Sequence, residues 1–200
     1  GDFDNDGRID FAVPCTREQT YTLYRNMGRD FTDVSAACGL GAATSDRTGF
    51  NPLFLDYDND GDLDLFFTTG GVRSGELVRA DAAYDERYGA RDLLLANDGR
   101  GRFKDVSAWA GAHFRRRLIG RGSARGDLDN DGDIDLVVSN LNGPAVVLRN
   151  DARGGHWVTF ACIGRRGARD ALGASLRIES GGRAQRAVIG RGVTYLSQVA

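Results

Sequence analysis

The apolar residues of this chain come in short clumps rather than helical stripes. Phe11-Ala-Val13, Leu65-Phe-Phe67 and Leu136-Val-Val138 are brief β-branched or aromatic runs closed by turn residues, which predicts strands. Each follows a polar, Asp-rich stretch, at residues 2–10, 56–64 and 127–135. A second run comes later in each unit: Leu23-Tyr-Arg-Asn26, Leu94-Leu-Ala-Asn97 and Val147-Leu-Arg-Asn150. The first two continue into Phe31-Thr-Asp-Val-Ser35 and Phe103-Lys-Asp-Val-Ser107. A loop, a strand and a second strand thus recur three times, so the repeat is a whole supersecondary unit. The loops start 54 and then 71 residues apart, and the distances from loop start to the Asn of the second run are 24, 41 and 23. The extra 17 residues of the middle unit therefore lie between its two strands. An insertion confined to one connection predicts a surface loop around residues 70–91, with a short helix over 76–88.

After Gly154 the pattern changes. His156-Trp-Val-Thr-Phe-Ala-Cys162 alternates as a strand, and Ala174-Ser-Leu-Arg-Ile-Glu179 and Gln185-Arg-Ala-Val-Ile189 predict two more, joined by a Gly181-Gly182 hairpin turn. The expected organisation is about three repeat units over residues 1–152 and a distinct small β domain over 153–200 that has no Asp-rich loop. With 28 Gly, few Pro and 41% hydrophobic residues, the chain can bury a core in an all-β fold of short strands and Gly-rich turns.

Charge sharpens this picture. The net charge of −2 conceals 14 of the 28 acidic residues gathered in the three loops, with Arg8 the only basic residue there. The other 25 basic and 14 acidic residues leave the rest of the chain at +11. Carboxylates packed this densely repel one another unless a cation neutralises them.

All three loops read DxDNDGxxD. Calcium takes about six to eight oxygens at roughly 2.3–2.6 Å, and alternating carboxylates on a tightly curved loop supply them. Positions 1, 3 and 5 are expected to turn inward, position 7 to offer its backbone carbonyl, and position 9 to close the shell. The candidate ligands are Asp2, Asp4, Asp6, Arg8 and Asp10; Asp56, Asp58, Asp60, Asp62 and Asp64; and Asp127, Asp129, Asp131, Asp133 and Asp135. Arg8, Asp62 and Asp133 contribute through their carbonyls. Gly7, Gly61 and Gly132 permit the bend. An EF-hand requires Glu at position 12, where this chain has Val13, Phe67 and Val138, so that motif is excluded. Magnesium prefers a smaller octahedral shell that retains water, which leaves calcium, about three ions, as the expected metal. The alternative is that the loops are acidic Asx-turns, which Asp-Asn-Asp-Gly forms unaided.

These loops resemble the calcium-binding FG-GAP and VCBS-type repeats of integrin-like propellers. Phe31-Thr-Asp-Val-Ser-Ala-Ala-Cys-Gly39 resembles the blade-joining segment of the cartilage acidic protein group. His156-Trp157, Arg169-Asp-Ala-Leu-Gly-Ala174 and Tyr195-Leu-Ser-Gln198 look like the ASPIC/UnbV domain that follows such propellers. The resemblance implies an all-β, partial integrin-like β-propeller, followed by an ASPIC/UnbV-like domain that stops early at Ala200. It further implies a secreted, periplasmic or cell-surface protein that binds a protein or glycan ligand without catalysis. Bacterial members labelled as associated with enediyne biosynthesis keep open an enzymatic alternative, such as a polysaccharide lyase or hydrolase or an accessory enzyme of secondary metabolism. A closed ring has about four to eight blades and three units are present, so the chain reads as a fragment.

Other signals are weaker. Of the 26 basic residues all but Lys104 are Arg, but they are scattered, and Arg115-Arg116-Arg117 has only Phe114 as an aromatic neighbour, so a solvated loop is expected and no nucleic acid. Arg125-Gly126-Asp127 spells an adhesion tripeptide, yet Asp127 is position 1 of the third loop. His113 and His156 have no nucleophile or acid at useful spacing, and Gly120-Arg-Gly122 lacks the lysine of a phosphate loop. Cys15, Cys38 and Cys162 admit either a Cys15–Cys38 disulfide or an unpaired buried set. No apolar run reaches the roughly 18 residues that span a bilayer.

Overall fold

A strand buried on both faces needs no alternation, and the middle repeat contains one. In the computed structural model, which describes residues 1–72, 86–152, 154–165 and 169–190, the first repeat forms an antiparallel sheet of β1 (Phe11–Val13), β2 (Thr22–Asn26) and β3 (Phe31–Asp33). A short helix α1 (Leu40–Thr44) leads into the four-stranded sheet of the second repeat, β4 (Gly49–Leu55), β5 (Asp64–Thr69), β6 (Leu93–Asn97) and β7 (Phe103–Asp105), paired in that order. All six residues of β5 are buried. The third repeat supplies β8 (Gly120–Gly126), β9 (Asp135–Asn140) and β10 (Val146–Leu148). The hairpin of β11 (Ser175–Ser180) and β12 (Arg183–Val188) forms a sheet of its own. The chain is thus mostly β-strand in several small antiparallel sheets, and its repeats are consistent with propeller blades.

Two hydrophobic cores flank the middle sheet, and the period-two geometry of its strands sends alternate side chains into each. Leu65, Phe67, Leu93 and Leu95 join Phe3, Tyr21, Leu23 and Leu40 of the first repeat. Leu53, Leu55, Phe66 and Leu94 join Phe114, Leu136 and Val138 on the side of the third. Each Leu or Phe removed from water in this way stabilises the stack by about 1.5–3 kcal/mol. The sheets therefore pack face to face, with β4 against β8, and each Asp-rich loop leads into β1, β5 or β9.

The predicted runs fall on β1, β2, β3, β5, β6, β7, β9 and β10, although β10 ends at Leu148 and leaves Asn150 beyond the ladder. Two strands, β4 and β8, lie outside the predicted runs. β8 reads GRGSARG, and its Gly120 serves close packing: a Cβ there would meet the Thr68 side chain of β5 at 2.9 Å. β4 holds Pro52, which a strand tolerates here because the ladder shifts register between Gly49 and Pro52. The predicted strand over residues 156–162 pairs with no described strand, and its side chains are mostly exposed. The Gly181-Gly182 turn forms as expected, with φ of 58° and 81°. Residues 86–88 of the predicted insertion helix are helical, and 73–85 lie outside the described residues. All three cysteines are free thiols; Cys38 is buried and donates to the Ser35 carbonyl at 3.4 Å.

Candidate metal-binding loops

The three loops share one set of hydrogen bonds. At position 1, the Asp2 carboxylate accepts the backbone N–H groups of Asp6 and Gly7 at 3.0 and 2.9 Å. Asp56 does the same for Asp60 and Gly61 at 3.1 and 2.9 Å, and Asp127 for Asp131 and Gly132 at 3.1 Å each. At position 5, Asp6, Asp60 and Asp131 each accept the N–H of position 7 at 2.9 Å. These bonds curl the backbone, and two positive-φ residues close the curl. Gly7, Gly61 and Gly132 sit at φ of 89°, 92° and 93°, where a side chain is strained. Asn5, Asn59 and Asn130 sit at 55°, 56° and 62°, a region that Asn tolerates better than most residues. A Cβ on Gly132 would also collide with the Trp157 indole.

Position 9 is a clamp. Asp10 accepts Phe3 N–H at 3.1 Å and Asn26 N–H at 2.8 Å. Asp64 accepts Tyr57 and Asn97 at 2.9 and 2.8 Å, and Asp135 accepts Leu128 and Asn150 at 2.8 Å each. Each of these carboxylates is buried and ties the start of its loop to the end of the next strand in the same unit. Burial raises Asp10 to about 6 and Asp64 to about 7 despite these bonds, and it raises Asp56 to about 6. Asp2 and Asp58 are also pushed up, first by burial, with neighbouring carboxylates adding to it.

The carboxylate oxygens converge in threes. Oxygens of Asp2, Asp4 and Asp6 lie within 4.8 Å of one another, as do those of Asp56, Asp58 and Asp64 and those of Asp127, Asp129 and Asp131. The first and third groups use positions 1, 3 and 5, whereas the second uses 1, 3 and 9. Asp60 is exposed in the second loop. Asp10 and Asp135 lie outside the triads, held by the clamp bonds.

The loops differ in their own cations. Arg25 pairs with Asp4 at 2.6 Å and with Asp6 at 3.2 Å, and Arg8 pairs with Asp6 at 3.0 Å. The residue matching Arg25 is Ala96 in the second repeat and Arg149 in the third, where it pairs with Asp151 at 2.7 Å. The second loop thus lacks an arginine at this position. One oxygen of its Asp58, Oδ1, is buried with no hydrogen-bond partner among the described residues.

Two sets of asparagine bonds link neighbouring repeats. Asn5 Nδ2 donates to Asp62 Oδ1 at 2.8 Å, and Asn59 Nδ2 donates to Asp133 Oδ1 at 2.6 Å. Asn97 Nδ2 reaches back to the Phe3 carbonyl at 2.7 Å, and Asn150 Nδ2 to the Tyr57 carbonyl at 2.7 Å. So the side chains of Asp62 and Asp133 are inter-loop acceptors, a role beyond the carbonyl expected of position 7. The C-terminal hairpin also touches the loops: Gln185 donates to the Gly61 carbonyl at 2.9 Å and Arg186 to the Gly7 carbonyl at 3.0 Å. Asp127 of the adhesion-like tripeptide is engaged inside its loop, and Arg125 donates to the Phe54 carbonyl.

Face-to-face sheets that repeat one Asp-rich loop define a β-repeat protein with three carboxylate triads able to hold ions. Residues 2–67, spanning the first two loops, match the FG-GAP-like repeat family. The chain is also similar to cartilage acidic protein 1 of Mus musculus, with 35% identity over 81 residues, which is 39% of this chain and 12% of that relative.

Proposed function

We propose that each loop binds one structural calcium ion, and that the chain is a propeller segment acting as a non-enzymatic binding or scaffold module outside the cell. The observation that carries the metal assignment is Asp58 Oδ1. A buried carboxylate oxygen without a donor costs several times an ordinary hydrogen bond, and here it stands within 4.8 Å of oxygens from Asp56 and Asp64. A hard divalent cation satisfies all three at once, and it offsets the repulsion that burial intensifies. Asp2, Asp4 and Asp6, and Asp127, Asp129 and Asp131, would hold the other two ions. In the second loop the ion would join Asp56, which follows β4, to Asp64, which opens β5, so binding energy becomes folding energy.

The extracellular binding role and an ASPIC/UnbV-like nature for residues 153–200 rest on sequence resemblance alone, since the family match covers residues 2–67. Among the described residues the enzymatic alternative has one candidate His–Asp pair, His113 Nε2 and Asp92 Oδ2 at 2.8 Å. The other ring nitrogen, Nδ1, is buried with no hydrogen-bond partner among the described residues, so the pair leads to no nucleophile. We read it as a structural tie.

Calorimetric titration of the decalcified protein should return about three calcium ions and a raised melting temperature. Asp58→Ala and Asp129→Ala should each lose one ion. A protein that binds no calcium and melts unchanged in excess chelator would reduce the loops to turns.

A further inference from the structure

At the strand ends opposite the Asp-rich loops lies a cavity of about 560 Å³ whose wall, among the described residues, carries five arginines, Arg17, Arg47, Arg87, Arg91 and Arg117, and one acid, Asp46. Four separate connections deliver them: the turn after β1, the approach to β4, the approach to β6 and the approach to β8. We propose that this cavity binds a compact saccharide bearing at least two oxyanion groups, either sulfates or carboxylates.

Three of the guanidinium groups are held by contacts that leave their terminal nitrogens for a ligand. Arg117 donates its Nε–H to the Gly89 carbonyl at 3.0 Å, and Arg47 donates its Nε–H to Asp46 Oδ1 at 2.8 Å. Arg87 lies over the Tyr88 ring, 5.6 Å from its centre. A guanidinium fixed through Nε or through its face keeps an edge of N–H donors, which matches the two oxygens of a carboxylate or sulfate. Pre-positioning also removes part of the entropy that long side chains otherwise lose on binding. The wall totals +4 from the residues named; Arg17, Arg87, Arg91 and Arg117 are exposed, so this charge attracts anions at the mouth of the cavity and is screened by salt.

The remaining wall argues for a sugar over a nucleotide. Among the described residues Tyr88 is the only aromatic ring lining the cavity, and Arg87 lies over one of its faces, so the wall offers little aromatic surface for stacking a base. Thr48 adds a hydroxyl that accepts the Arg17 N–H at 3.0 Å and keeps its own proton to donate to a sugar oxygen. The inference rests on the reading of the chain as a binding module but not on the calcium assignment.

The test uses the full chain in calcium, titrated calorimetrically with a trisulfated heparin-derived disaccharide and, separately, with digalacturonic acid. Neither probe is a strong chelator, and the two arms tell sulfate from carboxylate. At least one should bind, and Arg17→Glu combined with Arg91→Glu should weaken it tenfold or more while melting temperature and calcium stoichiometry stay unchanged. Arg29→Glu combined with Arg100→Glu makes the same charge change at exposed turns on the loop face and should leave binding intact. Failure of both probes to bind, or equal weakening by the two double variants, overturns the proposal. Calcium stoichiometry on the same samples reports the calcium reading separately.

Discussion

The two ends of the strands are built by different rules. At the loop end, three repeats make the same bonds: position 1 accepts from positions 5 and 6, position 9 clamps position 2 to an Asn, and position 4 reaches the next loop wherever that loop has Asp at position 7. At the other end each tie occurs once. His113 bonds Asp92, whose Oδ1 accepts Thr69 N–H at 2.8 Å, while Arg117 holds Gly89 and Arg121 holds the Gly71 carbonyl at 2.9 Å. The loop end is acidic and repetitive, and the other end is rich in arginine and individual. The proposed common ligand would account for the first property, because each repeat would have to meet the same ion chemistry separately. Nothing imposes a common geometry on the connections, so they are free to diverge and carry whatever is specific to this protein.

Chelation should therefore act on one end only. With free calcium at a hundred times Kd, each site contributes about 2.7 kcal/mol, and three together about 8 kcal/mol. Urea titrations with and without chelator measure that difference. A point change at each end sharpens the contrast. Asp64→Ala leaves two buried N–H groups unpaired and should cost about 2–6 kcal/mol. Part of that cost persists in excess chelator, because the clamp bonds do not depend on the ion, and Asp64→Asn should recover some of it by keeping one acceptor. His113→Ala should cost about 1–3 kcal/mol by stranding Asp92 Oδ2, and the same amount with chelator as without. Equal chelator dependence in both variants would break the comparison.

Acid provides a third probe. Folding raises Asp10, Asp56 and Asp64 above the ordinary carboxylate value, to about 6, 6 and 7. The folded protein then holds more protons than the unfolded chain between about pH 4 and 7, so stability falls as pH rises through that window. Without calcium the urea midpoint should be highest near pH 4–5 and lower at pH 7.5. Calcium replaces those protons, so its affinity should climb over the same range and flatten or reverse the fall. A calcium-free protein that grows more stable from pH 5 to 7 would show that these carboxylates are not strained by burial.

How much of this was legible follows the same division. Strands β5 and β6 announce themselves because both faces are buried, and the loops because DxDNDGxxD recurs. The bend at position 6 follows from glycine alone. The Asn at position 4 was visible in all three loops, and so was the Asn closing each second run, yet their work runs between repeats, and periodicity within one repeat does not reveal a partner in the next. β8 was illegible because GRGSARG looks like a loop, and the close approach of Gly120 to Thr68 of β5 exists only once the sheets stack. The five-arginine cavity was hidden for a related reason: its side chains come from positions as far apart as 17 and 117, and scattered arginines become a site only when the sheets stack.

The smallest expected effect tests the link between loops. Asn59→Ala removes the donor to Asp133 Oδ1 at 2.6 Å, and a bond to a charged acceptor is worth about 1.5–3 kcal/mol, less here because Asp133 is partly exposed. The substitution also places Ala at φ near 56°, which carries its own cost of about 1–2 kcal/mol. Asn130→Ala separates the two. Asn130 occupies the same position of the third loop at φ 62°, but it makes no bond to another loop among the described residues. The excess destabilisation of Asn59→Ala over Asn130→Ala, expected near 1 kcal/mol, is then the inter-loop tie. Asn59→Ala should also weaken calcium binding at the third loop, whose Asp127, Asp129 and Asp131 it leaves untouched, because Asp133 is no longer anchored from the second. Equal stability of the two variants and unchanged affinity at the third loop would mean that the loops, however alike, fold and bind independently.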